Sequence, residues 1–192
     1  VWFKTGVNAF ENICGYGTVA AKQAFDIVTY TNGTVGVHGV NTQVEASGTF
    51  VLNEWTHYAV TYDGTILRGY LNGQPVNTST IALNTGTSVD FTIGAGVYTS
   101  SNGFAGDVSN IAIWNSVLTA GNVSTIYNNG APNDISSLSP TSWWKLNAQD
   151  TFDGTDWTIK DYAGSNDGTS VGMTSANLVQ SNLQHTNGFS PY

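Results

Sequence analysis

Charge is scarce in this chain. Only 9% of its 192 residues are Asp, Glu, Lys or Arg, and just five of those are basic. Without a basic run to neutralise phosphates, nucleic acid is excluded as a partner, and so is an anionic membrane surface. Membrane insertion is excluded as well, because no apolar stretch is long enough to cross a bilayer. The single cysteine, Cys14, has no intrachain partner. Its half-apolar setting, ENICGYG, reads as a buried, unreactive thiol. The amino terminus lacks a signal-peptide layout and opens on VWFKTG, which reads as mid-strand; the sequence is expected to be an excerpt of a longer chain. Glutamates are few too. Glu11, Glu45 and Glu54 are scattered without acidic neighbours, whereas glycoside hydrolysis needs two carboxylates a few ångströms apart. His38, His57 and His185 form no Ser/His/Asp order, and no His/Cys cluster suggests zinc. A non-enzymatic role is expected.

Gly, Thr, Ser and Asn are abundant instead, a mixture suited to short strands and tight turns. FDIVTYTNGTVGVHG alternates Phe25, Ile27 and Thr29 against Asp26, Val28 and Tyr30, then turns at Asn32-Gly33. HYAVTYDGTILRGYLNGQPV repeats the pattern twice, with turns at Asp63-Gly64 and Asn72-Gly73, dipeptides that favour type I′ hairpins. VDFTIGAG adds a strand with Val89, Phe91 and Ile93 on one side. DVSNIAIWN adds another, with Ile111 and Ile113 opposite Val108, Ala112 and Trp114. One helix is predicted in VLTAGNVSTIYNNG. Thr119 is its N-cap, Leu118 and Val123 form a hydrophobic staple, and Gly130 stops it. APNDISSLSP, 131–140, reads as a linker, and the best strands of 141–192 lie around SWWKLN and DWTIKDY. The expected fold is all-β, an antiparallel jelly-roll sandwich with one short helix.

EWTHYAVTYDGTILRGYLNGQPV followed by GFAGDVSNIAIWNSVLTAGNVSTIYNNG resembles the laminin-G-like and pentraxin-like branch of the concanavalin A-like superfamily. The likeness covers Val1 to Gly130. A Trp-His pair opens a strand, a hairpin ends in Asn-Gly, and a Gly-Asp strand carries Trp-Asn before a short helix. WWKLN and DYAGSNDGT are similar to the opening strand and the loop that precede WFKT in such repeats. The order is therefore rotated, which implies a permuted chain or, preferably, a cut from a tandem array, so that 141–192 completes this sandwich or belongs to a next repeat. The segment from Trp143 to Tyr192 also resembles repeats in virion proteins of marine bacteriophages.

These resemblances imply two functions. One is a structural or recognition module of a virion, in a fibre or as capsid decoration, whose partners are virion proteins or copies of itself. The other is a carbohydrate-binding lectin module that recognises cell-surface glycans and is placed outside the cell. The pentraxin calcium ligands are missing, since Lys22-Gln23 and AGVYTSSNGFA stand where the family carries acids. KDYAGSNDGT offers a different calcium site, Asp161, Asn166 and Asp167, with an Asx turn that holds no metal as the alternative. Asp150, Asp153 and Asp156 form a second acidic loop that reads as solvated. Tyr98, Asn102 and Trp157 have the rings and amides that contact sugars. Asp107, after a glycine at a strand start, is expected to be a buried brace accepting backbone N–H groups.

Overall fold

Hairpins build the first half of the chain, and each inner face is apolar because alternate residues of a strand point the same way. The computed structural model describes residues 1–20, 22–39, 45–85, 90–97, 103–180 and 183. In chain order the strands of this half are β1 (Trp2–Thr5), β2 (Glu11–Gly17), β3 (Ala24–Thr29), β4 (Thr34–His38), β5 (Glu45–Thr49), β6 (Thr56–Tyr62), β7 (Ile66–Leu71), β8 (Gln74–Thr80) and β9 (Thr92–Ile93). Then come β10 (Gly106–Ser109), β11 (Ile111–Ile113), the helix α1 (Ala120–Tyr127), β12 (Ser142–Trp144), β13 (Thr151–Phe152), β14 (Trp157–Ile159) and β15 (Gly168–Thr169).

Two five-stranded sheets, ordered β10-β1-β6-β7-β8 and β5-β4-β3-β2-β9, face each other. Phe3, Ile13, Ile27, Val35, Phe50 and Tyr58 meet between them, all under 9% exposed, with Cys14 among them. Burial pushes the Cys14 thiol up to about 12, so it stays protonated and inert. Val37, Ala46, Leu67 and Ile81 continue the core. The Tyr58 hydroxyl crosses it to donate to the Ala46 carbonyl at 2.8 Å.

The turns differ in kind. Asn72 and Gly73 both have positive φ (49° and 76°), as a type I′ turn requires. At Asp63-Gly64 the loop is three residues long, and Asp63 Oδ1 accepts from the Thr65 and Ile66 amides. The predicted strand in VDFTIGAG is only Thr92–Ile93 among the described residues, and Val89 lies outside them. Asn110, at φ 48°, breaks the DVSNIAIWN strand into β10 and β11.

Thr119 caps α1 as expected, and its box partner is Asn122: each side chain accepts from the other's backbone N–H. The stop comes earlier than Gly130, because Asn128 adopts the left-handed C-cap (φ 45°) itself. The segment 131–140 packs closely: Ile135 is buried with Ile126 and Trp143, and the Trp114 indole donates to the Leu138 carbonyl at 3.0 Å.

Beyond it, β12 pairs with β11 of the same chain, and Trp144 stacks on Phe91 at 5.4 Å and 7°. A small sheet, β13-β14-β15, follows.

Candidate functional site

Residues directly opposite each other in an antiparallel pair share a face. On the outer face of the β5-β4-β3-β2-β9 sheet this register lines up two rows across β2, β3 and β4. One is Gly15, Asp26 and His38; the other is Asn12, Val28 and Gly36. A Cβ at Gly15 would overlap the Asp26 carboxylate, so glycine there is what lets the acid lie flat across β2. Asp26 is fully buried. Its Oδ1 accepts from the Val97 amide at 3.2 Å, whereas its Oδ2 has no partner among the described residues. Burial raises its pKa to about 6, against the lowering effect of the Val97 N–H.

Beside Asp26 stands an aromatic group. The Tyr30 hydroxyl lies 2.9 Å from His38 Nδ1, and Phe10 meets Tyr30 and His38 edge-on at 5.1 and 5.5 Å. Burial lowers the His38 pKa, and burial with the Asp26 charge raises Tyr30 to about 12. Both are therefore neutral near pH 7.

The loop between β9 and β10 is pinned beside this face at several points. The Gly94 amide donates to the Ile13 carbonyl at 2.7 Å, Val97 holds Asp26, Gly103 bridges Asn12, and the Ala105 amide donates to Glu11 Oε2 at 3.2 Å. Tyr98 and Asn102, the sugar-contact candidates, belong to this loop but lie outside the described residues. The alternation in FDIVTY groups Asp26 with Val28 and Tyr30 and by itself gives the acid no role. The signal available was a carboxylate at mid-strand in a chain with few charges.

Other candidates land elsewhere. Trp157 is 8% exposed and donates its indole N–H to the Thr174 carbonyl at 2.9 Å, with Phe152 against its ring. So placed, it packs the small sheet and offers no open face for a sugar. Asp161 accepts from the Trp143 and Ala163 amides through Oδ1 and from Asn166 through Oδ2. Asn166 donates its amide to Ser142, and Asp167 Oδ1 accepts from the Asp161 backbone. The Asp161 oxygens thus face backbone N–H groups of its own loop and of Trp143. Among the described residues, no three His, Cys, Asp or Glu side chains gather in a metal-holding group. Asp150 is buried and accepts from Asn147 and Lys160, whereas Asp153 and Asp156 sit in an exposed turn in which Asp153 accepts from Thr155 and Asp156.

Asp107 corrects the expectation of a buried brace. It is 37% exposed and pairs with Lys4, its register partner on β1, at 2.7 Å. Gly106 begins β10 at the sheet edge, where solvent reaches the side chain, so an ion pair forms in place of backbone contacts. His57 is buried between Trp2 and Tyr127. Burial and the terminal ammonium charge hold it well below its usual pKa, and so neutral.

A family profile described as the concanavalin A-like lectin/glucanases superfamily matches residues 2–124. Among solved structures, a protein of Bacteroides ovatus ATCC 8483, provisionally named as carbohydrate binding, is similar at 20% identity and a TM-score of 0.63. The likeness covers 88% of this chain and 51% of that protein, so this chain spans about half of its length. An S-layer domain-containing protein of Clostridium thermocellum ATCC 27405 is similar at 17% identity, over 66% of this chain and 67% of that one, with a TM-score of 0.34. No curated protein matches.

Proposed function

We propose, for a chain that belongs to the concanavalin A-like lectin/glucanase superfamily, a non-catalytic carbohydrate-binding role centred on Asp26 and the loop beside it. One observation carries the reading: a fully buried carboxyl oxygen, Asp26 Oδ2, has no hydrogen-bond partner among the described residues, on a face lined by Tyr30 and His38. A buried acceptor left unmade is costly, and a ligand hydroxyl is a donor of the right kind. Tyr30 and Phe10 supply rings. The provisional name of the Bacteroides ovatus protein agrees with this ligand class. Catalysis is not part of the reading. Glu11, the carboxylate of β2, is engaged with the Ala105 amide and offers no free partner for Asp26 in acid–base chemistry.

Isothermal titration with neutral oligosaccharides tests it. Binding is expected to weaken about tenfold in Asp26→Asn, as for the loss of one charge-assisted hydrogen bond. It is expected to strengthen as pH rises through about 6, the Asp26 pKa, because the carboxylate accepts better than the acid. Chelators are expected to leave it unchanged, since Asp161, Asn166 and Asp167 are engaged with protein donors and acceptors. Absence of binding across the panel, or a variant that binds as well as the parent, discards the assignment. The virion setting is a finer reading supported by the resemblance of residues 143–192 to phage repeats. An antibody against the module that fails to decorate purified virions discards it.

A further inference from the structure

The other sheet carries a polar groove. It lies on the outer face of the β6–β7 hairpin, where the chain leading into α1 passes beside it. The groove is open to solvent and holds about 390 Å³, within the range of small-ligand sites. Thr61 and Arg68 lie directly opposite each other across the hairpin, and Asp63 and Tyr70 follow two residues along on the same face. Val117 and Leu118 supply an apolar wall, and Val117 is 51% exposed.

Two features point to a ligand. The Thr61 hydroxyl is buried without a hydrogen-bond partner among the described residues, in a residue only 7% exposed. It is a standing cost to the fold that an incoming hydroxyl removes. Arg68 and Asp63 form an ion pair at 2.7 Å, so the groove is electrically neutral yet presents charged donors and acceptors side by side. The start of α1 adds no anion site, because Thr119 and Asn122 cap each other there. A neutral polyol fits these groups: its hydroxyls donate to Asp63 and accept from Arg68 and Thr61, and its C–H face rests on Val117 and Leu118.

The geometry points to a second binding site, for a short neutral saccharide, on the side of the sandwich opposite Asp26. The ligand class rests on the carbohydrate reading above; the site does not. Amide NMR shifts of the full chain, titrated separately with cellobiose, maltose and lactose, test it. Shifts are expected at residues 61–70 and 117–120 and are expected to persist in Asp26→Asn. Thr61→Val is expected to weaken groove binding about tenfold, as for one lost hydrogen bond, while raising the thermal midpoint, since the partnerless hydroxyl is gone. Arg68→Met, which keeps the apolar stem, is expected to weaken it similarly and provides a second variant should Thr61→Val fail to fold. Shifts confined to the neighbourhood of Asp26 overturn the second site and leave the first standing. Shifts confined to the groove do the reverse. An unchanged groove affinity in both variants, or no shifts with any of the three sugars, overturns the inference.

Discussion

Asp26 in the sandwich and Asp161 in the C-terminal segment are both buried aspartates, at 0% and 5% exposure, yet their acidities move in opposite directions. Burial pushes both up. At Asp161 the amides of Trp143, Ala163, Gly164 and Asn166 outweigh that push and hold the carboxyl below its usual range. At Asp26 a single amide, Val97, cannot, and the pKa stays near 6. The number of N–H groups aimed at the oxygens therefore separates a brace from a group with bonding capacity to spare. The sandwich obtains its order from apolar faces meeting between two sheets. The C-terminal segment, with less apolar surface to bury, is assembled around carboxylates that accept from its own backbone.

Separating the two regions gives the largest expected effect. Trp144 joins them, stacking on Phe91 and donating to the Asn166 carbonyl at 2.8 Å. Trp144→Ala is expected to cost about 4–5 kcal/mol, as for a large core aromatic. Limited proteolysis should then cut within 145–180 while the sandwich survives; simultaneous loss of both regions would show that they fold as one unit. Asp161→Asn comes next, at about 3 kcal/mol, because amides that faced a carboxylate would meet an NH2 group or lose charge assistance. A change in the urea midpoint of less than a third of that size would remove its role as a brace.

The pH dependence sharpens the contrast. Asp26 has a folded pKa near 6, above its unfolded value of 3.8. The native state therefore holds the extra proton in that window, and stability falls as pH rises from about 4 to 6, by about 2–3 kcal/mol. Asp161 has a depressed folded pKa, so its contribution is present above the unfolded value and is lost as pH falls below it. Urea melts of the parent and of Asp26→Asn at a series of pH values should show the first slope only in the parent. The smallest effect is expected at the sheet edge. Asp107→Asn should cost less than about 1 kcal/mol, because the Lys4 pair is partly exposed, and high salt should erase the difference.

Much of the fold was legible in the residues. Alternation in FDIVTY and HYAVTY sets which side chains meet in the core, and Asn72-Gly73 turns its hairpin by the positive φ that those residues tolerate. Thr119 announces its helix through a local hydrogen bond that needs no tertiary partner. The sites were less legible. Asp26 alternates like a solvent-facing residue, and only Gly15 beneath it and Val97 beside it reveal its burial. Asp161, Asn166 and Asp167 carry the spacing of an oxygen-rich loop, but whether their oxygens turn toward a cation or toward amides depends on Trp143 and Ser142, which come from another strand. Trp157 has the ring of a sugar platform, and its burial is decided by Phe152 and by the distant segment at Thr174 that takes its indole N–H.

Local chemistry in the chain determined the strands, their turns, the helix cap and the family to which residues 2–124 belong, because periodicity and backbone preference act between near neighbours. Tertiary structure alone decided which acids lose water, how many amides each one meets, and that Thr61 is left without a partner among the described residues. Those outcomes depend on segments distant in sequence arriving at one place.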